Sequence, residues 1–260
     1  MGQYFREIWQ YRELFYFMIW RDVKVRYKQT LLGAAWAVIQ PFCTMVVFSL
    51  FFGKMAKVPS DGIPYPLFTY SALIPWTYLS VAVTNAGNSL VASSHLFTKV
   101  YFPRVAMPAS PVFSGLVDFG IATVVLIGMM FYYGYAPGWG IVLWPLLILL
   151  LVMLALGVGM VFAALNVKYR DVRYALPFLT QIWLFLTPII YPTSIIPAGL
   201  RPLIAANPLF GIIEAFRSTL FAGRHTDFQS LGVSAAMTLA IFALGGFYFR
   251  RMERTFADIV

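Results

Sequence analysis

The stretch IVLWPLLILLLVMLALGVGMVFAAL, Ile141 to Leu165, contains no charged side chain. As a helix rising 1.5 Å per residue it is long enough to cross the roughly 30 Å hydrocarbon core of a bilayer. A helix on the surface of a soluble domain keeps one polar face for water, and this run has none. Working outward, five more segments read the same way, approximately Gly33 to Phe52, Pro66 to Ala92, Pro108 to Tyr133, Ala175 to Ile195 and Leu231 to Phe249. The second of these is the least apolar, with Asn85 and Asn88 near its end. Over all 260 residues the chain is 60% hydrophobic and 11% charged, against about 25% charged in a soluble domain. The expected fold class is therefore all-α, a polytopic membrane protein with six transmembrane helices and no room for a soluble domain.

The basic residues orient these helices. With a cytoplasmic N-terminus, fourteen Lys and Arg fall on the inner side and five on the outer side, Lys54, Lys57, Arg201, Arg217 and Arg224. Cytoplasmic connections carry such an excess, so both termini are expected to be cytoplasmic. The net charge of +9 then belongs to the membrane surface and its lipids, and no nucleic acid is needed to explain it.

Two regions are neither spans nor simple loops. Residues 4–20, YFREIWQYRELFYFMIW, mix aromatics with Arg6, Glu7, Arg12 and Glu13. Phe5, Ile8, Trp9, Arg12, Phe15 and Ile19 recur near helical spacing, which predicts an amphipathic helix in the cytoplasmic interface. The second is the outer connection before the last span. There NPLFGIIEAFRSTLFAG offers Asn207 as N-cap, Pro208 at the first helical position and Gly223 past the end. With the preceding PAGLRPLIAA it predicts two short re-entrant helices; a helix resting on the outer surface is the alternative. The expected organisation is residues 1–32 as interface helix and entrance loop, 33–250 as the transmembrane domain with a re-entrant region at about 197–224, and 251–260 as a short cytoplasmic tail.

Residues for catalysis are scarce. His95 and His225 lie on opposite sides by this topology and cannot share a metal, so no metal site is expected. No GxxxxGK[ST] loop, HExxH or GxSxG occurs. Cys43 reads as a small residue of the core. Asp118, about ten residues into the third span, is the intramembrane carboxylate and a functional hypothesis by default. It fits either a place in the transport pathway or a structural acceptor paired with a neighbouring helix or an Arg. Trp36, Phe42, Phe48, Phe51 and Phe52 in the first span fit either packing or an aromatic path on which sugar rings stack.

Four motifs in order, RDVKVRYKQTLLGAAWAVIQP, TKVYFPRVAMP, NVKYRDVRYALPFLTQIWLFLTPIIYP and NPLFGIIEAFR, resemble the membrane subunit of polysaccharide-exporting ABC transporters, whose members move lipid-linked O antigens, capsular polysaccharides and teichoic acids. The resemblance runs from about Tyr4 to Arg251. It implies a permease of the bacterial inner membrane, itself no enzyme, working as a homodimer with two copies of a separate ATPase that binds ATP and Mg. No cofactor is expected in this chain.

The resemblance also implies roles for particular residues. Leu32 and Gly33 match the family's Leu-Gly loop at the cytoplasmic entrance, beside Arg21, Lys24, Arg26, Tyr27 and Lys28. These cations suit either a lipid-linked pyrophosphate or anionic headgroups and topology. His95, Leu96, Phe97, Lys99, Tyr101, Phe102 and Arg104 match the connection that docks on the ATPase. Val105 stands where many members carry an acid. Glu214 and Arg217 are expected at an outer gate, linking across it. The rival readings are a drug or lipid exporter of the same superfamily and a membrane-embedded glycolipid transferase.

Overall fold

The computed structural model describes residues 10–28, 33–92, 103–197, 199–221 and 226–253. Among them the chain is helical, with no strand beyond one isolated bridge between Pro137 and Phe221. Helix α1 is Arg12–Lys28. The first span, Gly33–Met55, opens with a 3₁₀ turn at Gly33–Ala35, continues as α2 (Trp36–Phe48) and widens into a π-helical end at Ser49–Met55. Gly33 has φ +46, a left-handed conformation that favours glycine at this turn. Then follow α3 (Tyr65–Ala92), α4 (Ala106–Tyr132) and α5 (Trp144–Lys168), the last entered through a 3₁₀ turn at Trp139–Leu143. Helices α6 (Val172–Leu186), α7 (Arg201–Ala205), α8 (Pro208–Leu220) and α9 (Phe228–Glu253) complete the order.

Five of these segments are long and apolar enough to cross a membrane, Gly33–Met55, Tyr65–Ala92, Ala106–Tyr132, Trp139–Lys168 and Phe228–Glu253. The expected fifth span differs. Its helix, α6, has 15 residues, a rise of about 22 Å. It stops because Pro188 follows Thr187 and offers no N–H to continue the ladder. The multi-pass, all-helical class holds; the run expected to reach Ile195 ends nine residues earlier.

Helix α3 is the centre of the bundle and the most enclosed of the five spans, although it is the least apolar. Several of its polar groups are satisfied by neighbouring helices. The Asn166 amide on α5 donates to the Gly87 carbonyl and to Asn88 Oδ1, each at 3.0 Å, and the Tyr78 hydroxyl donates to the Val112 carbonyl of α4 at 3.0 Å. Helices α5 and α9 meet backbone to backbone. A Cβ on Gly245 would lie 2.3 Å from the Gly157 carbonyl oxygen, and one on Gly157 would lie 2.8 Å from Phe242 Cα. Small residues at such a crossing supply close packing where lipid gives helices no hydrophobic reason to associate.

Two expectations need correction. Helix α1 ends later than the predicted interface helix, carrying the RDVKVRYK segment to Lys28 as helix. Its apolar groups do not gather on one stripe: Tyr16, Phe17 and Trp20 are exposed while Met18 and Val23 are buried. A helix with protein on one side and lipid on another needs no single apolar face. The predicted positions Phe5, Ile8 and Trp9 lie outside the described residues. Cys43 is exposed, not a core residue, because α2 packs on one face and Cys43 lies on another.

The outer-connection punctuation is as predicted at its start. Asn207 caps α8, accepting from the Leu209 N–H at 3.1 Å. Its side chain also accepts from Trp183 Nε1 at 2.9 Å and donates to the Thr187 hydroxyl at 2.9 Å. One cap thus joins the start of α8 to the end of α6. Helix α8 is buried from Pro208 to Leu220 except at Glu214, so it is packed within the bundle. Gly223, the expected stop, lies outside the described residues.

Candidate functional site

The last turn of α1 leans against α4. Arg26 Nη1 donates to Asp118 Oδ2 and the Tyr27 hydroxyl donates to Asp118 Oδ1. One helical turn earlier, Asp22 accepts from the Ser110 hydroxyl at 2.6 Å and pairs with Arg21 at 2.9 Å. Two carboxylates therefore hold two arginines along one seam. Asp118 lies twelve residues after Ala106, a rise of about 18 Å, so α1 covers the first turns of α4. The Phe15 and Phe113 rings meet edge to face at 5.5 Å on the same contact.

An intramembrane carboxylate is costly unless paired, and here the partners come from a helix outside the spans. The Arg26 and Asp118 side chains are 28% and 24% exposed, so the pair is neither sealed nor fully in water. Burial, with the hydrogen bond to Asp118, pushes the Tyr27 phenol above its ordinary range. It stays a protonated donor at neutral pH.

Beside this pair is a cleft of about 250 Å³ among α1, α2, α3 and α4. Arg26, Tyr27 and Asp118 form its charged end; Gly33, Trp36 and Gln40 line it from the first span, and Thr77, Tyr78 and Asn85 from α3. A second hollow of about 480 Å³ takes in Arg21, Asp22, Asn85, Ser89 and Ser114, and Arg26 borders this one as well. Such an arrangement can hold an anionic group at the arginine while aromatic faces receive a ring or an apolar chain.

Of the residues predicted at the entrance, Arg26, Tyr27 and Gly33 come together here, joined by Trp36 and by Asp118. Lys24 and Lys28 are exposed on α1, with the Lys24 ammonium 5.5 Å from the Trp20 ring centroid. Leu32 lies outside the described residues. Of the first-span aromatics, Trp36, Phe42 and Phe51 are exposed, whereas Phe48 and Phe52 pack edge to face at 5.6 Å against the core. Sequence reasoning missed Gln40 and Tyr78 as lining groups. Gln40 carried a signal, a polar residue just before Pro41 in an apolar run; Tyr78 carried none.

In the docking connection, His95, Leu96, Phe97, Lys99, Tyr101 and Phe102 lie outside the described residues. Arg104 is described, and its Nη1 donates to the Glu253 carbonyl at 2.6 Å, tying the approach to α4 to the end of α9. Toward the other end of the bundle, Arg217 is fully buried. Its guanidinium donates to the Pro188 and Ile189 carbonyls at 2.6 and 2.7 Å, lies 3.7 Å from the Phe68 ring centroid and 3.7 Å from Glu214 Oε2. These partners place Arg217 as a clamp on the break after α6. Among the described residues no group of three or more His, Cys, Asp or Glu is placed to hold a metal ion.

Packed apolar helices, five of them long and apolar enough to cross a membrane, with a partly exposed charged seam along α1 and α4, define a multi-pass membrane protein. Residues 13–221 match the family described as ABC-2 type transporter, and the chain belongs to that family. It is similar to the O-antigen export system permease protein RfbA of Myxococcus xanthus, 29% identical over 258 residues that cover 98% of each chain. It is 28% identical over 244 residues to the protein of that name from Klebsiella pneumoniae, covering 92% of each. The polysialic acid transport protein KpsM of Escherichia coli is 24% identical over 242 residues, 90% of this chain and 91% of that one.

Proposed function

We propose that this chain is the permease subunit of an ATP-driven exporter that carries a lipid-linked polysaccharide from the cytoplasmic face across a bacterial inner membrane. O antigen is the first candidate, with capsular and teichoic acid polymers in the same class. The observation that carries this reading is the convergence of Arg26, Tyr27 and Trp36 on one cleft, in a chain similar end to end to relatives named for O-antigen export. Arginine binds phosphate through charge-assisted, paired hydrogen bonds, and aromatic faces receive sugars without holding them tightly.

Both termini are cytoplasmic in this reading, and Arg26 and Tyr27 mark the entrance with Arg21, Lys24, Lys28, Leu32 and Gly33 around them. Energy comes from a separate ATPase, present in two copies, that binds ATP and Mg. The connection from His95 to Arg104 docks on it, and the Arg104 bond to the end of α9 gives a path by which docking moves the last span. Two copies of the permease enclose the polymer. The exposed apolar residues of the first span and α6, among them Trp36, Phe42, Phe51, Phe178 and Phe185, supply a surface for that pairing and for the path.

Helix α6 with the Thr187–Ile195 segment forms the fifth of six crossings, and α7 and α8 form a re-entrant pair at the outer gate. The burial of α8 supports that placement, since irregular backbone survives at membrane depth only when enclosed by protein or lining a watery path. A deletion strain is expected to accumulate an undecorated intracellular lipid-linked glycan, identified by mass spectrometry, and the wild-type gene to clear it. A deletion strain with no retained glycan overturns the proposal.

A further inference from the structure

We propose that Asp118 is an internal counter-anion that holds the Arg26 guanidinium until a phosphate-bearing headgroup displaces it, so that admission to the cleft proceeds by exchange of partners at Arg26. This rests on the entrance reading above and adds to it a condition for occupancy.

The seam as it stands is electrically balanced, with Arg21 on Asp22 and Arg26 on Asp118. An incoming anion therefore meets two arginines already paired with carboxylates and gains Arg26 by replacing Asp118. A pyrophosphate, with more negative charge and more acceptor oxygens than a carboxylate, competes well for a guanidinium. A neutral lipid or free sugar does not. The pairing thus acts as a filter, because a ligand without phosphate leaves the ion pair closed.

Three features make exchange feasible. The pair is about one quarter exposed on each side, so water and ligand reach it. Arg26 borders both hollows, so its guanidinium turns from Asp118 toward a ligand while α1 keeps its Asp22–Ser110 anchor on α4. Tyr27, protonated at neutral pH, remains on Asp118 Oδ1 when Arg26 leaves, so the carboxylate is not abandoned in an apolar site. A purely structural pair would need none of these. Arg217 is the contrast within the same chain: fully buried and on two carbonyls, it has no path to a ligand.

The test uses the purified full-length chain in lipid nanodiscs, with farnesyl diphosphate as probe and farnesol as its phosphate-free control. Wild type is expected to bind the diphosphate and to be indifferent to farnesol. Asp118→Asn removes the competing carboxylate from Arg26 and is expected to tighten diphosphate binding about tenfold, the scale of one charge-assisted hydrogen bond; Arg26→Gln weakens it by at least as much. Tyr27→Phe leaves Arg26 as the sole partner of Asp118 and is expected to weaken binding severalfold, a second variant that speaks even if Asp118→Asn fails to fold.

Affinity unchanged or reduced in Asp118→Asn, or unchanged in Tyr27→Phe, with binding still lost in Arg26→Gln, overturns the exchange and leaves the entrance reading standing. Binding untouched in Arg26→Gln, or absent in wild type, overturns both. Inorganic pyrophosphate bound as tightly as farnesyl diphosphate overturns the assignment to a lipid-linked headgroup.

Discussion

Arg26 and Arg217 are both held by partners from other helices or loops of this chain, which treats them in opposite ways. Arg26 comes from a helix outside the spans, meets one carboxylate on α4 and remains partly exposed beside two hollows. Arg217 is sealed, with its guanidinium on the carbonyls of Pro188 and Ile189, its face on Phe68 and Glu214 at 3.7 Å. A proline break leaves carbonyls without helical donors, and Arg217 supplies donors to two of them. The first arginine can change partners; the second cannot move without undoing a break in the backbone. Only the exposed kind suits a ligand, and only the sealed kind suits a clamp.

The largest effect should come from Arg217. Arg217→Gln leaves the Pro188 and Ile189 carbonyls short of donors and is expected to cost about 3–5 kcal/mol, the scale of breaking a buried charged network by removing one partner. Thermal denaturation of the detergent-solubilised protein, or its yield as a monodisperse peak, reads this loss. Arg217→Lys should recover little, because a single ammonium lacks the planar fork that reaches two carbonyls. Arg26→Lys, at an exposed pair with one carboxylate, should keep most of the stability. Equal tolerance of Lys at both positions would erase the contrast.

A double-mutant cycle on Arg26→Gln and Asp118→Asn sharpens the other half. Residues in direct contact couple by about 0.5–3 kcal/mol, so the double variant should be more stable than the two single losses added together. The same cycle on Arg217→Gln and Glu214→Gln should show weaker coupling, because the carbonyls and not Glu214 are the main partners of Arg217. Unfolding midpoints of the four proteins in each cycle decide it; additive losses at Arg26 and Asp118 would mean that the ion pair contributes nothing.

These two sites differ as much in how legible they are in the sequence. The apolar runs located five of the spans to within a few residues because hydropathy reports directly on the bilayer, and the Asn207–Pro208 start of α8 followed from local capping chemistry. Asp118 was visible as an anomaly in an apolar run, and pairing with an Arg was among the expected outcomes. Which Arg was not, since it lies 92 positions away in sequence, and no local pattern specifies so distant a partner. Arg217 was legible in part: charge and spacing located it next to Glu214, 3.7 Å away, while its backbone partners are set by a break in another helix. The length of α6 was overestimated because hydropathy continues through Thr187–Tyr191 where the backbone does not.

The smallest effect belongs to a charge outside both sites, which sets the scale for a surface carboxylate. Asp227 accepts from the backbone N–H groups of Gln229 and Ser230 at 3.0 and 3.2 Å and from the Ser230 hydroxyl at 2.6 Å, capping α9. The Ser230 hydroxyl first, then its backbone N–H, hold the Asp227 carboxyl below its ordinary range. A carboxylate whose folded-state value is depressed adds stability above its unfolded value, and that contribution fades as pH falls through the folded one. Asp227→Ala should therefore cost about 1 kcal/mol at neutral pH, as for other N-caps, with the charge-dependent part of the difference fading toward pH 3. Unfolding midpoints of wild type and variant at both pH values read the gap. A gap that stayed constant with pH would assign the cap to hydrogen bonding without charge, and one as large as that of Arg217→Gln would mean that sealing in the bundle is not what sets the cost of losing a charge in this chain.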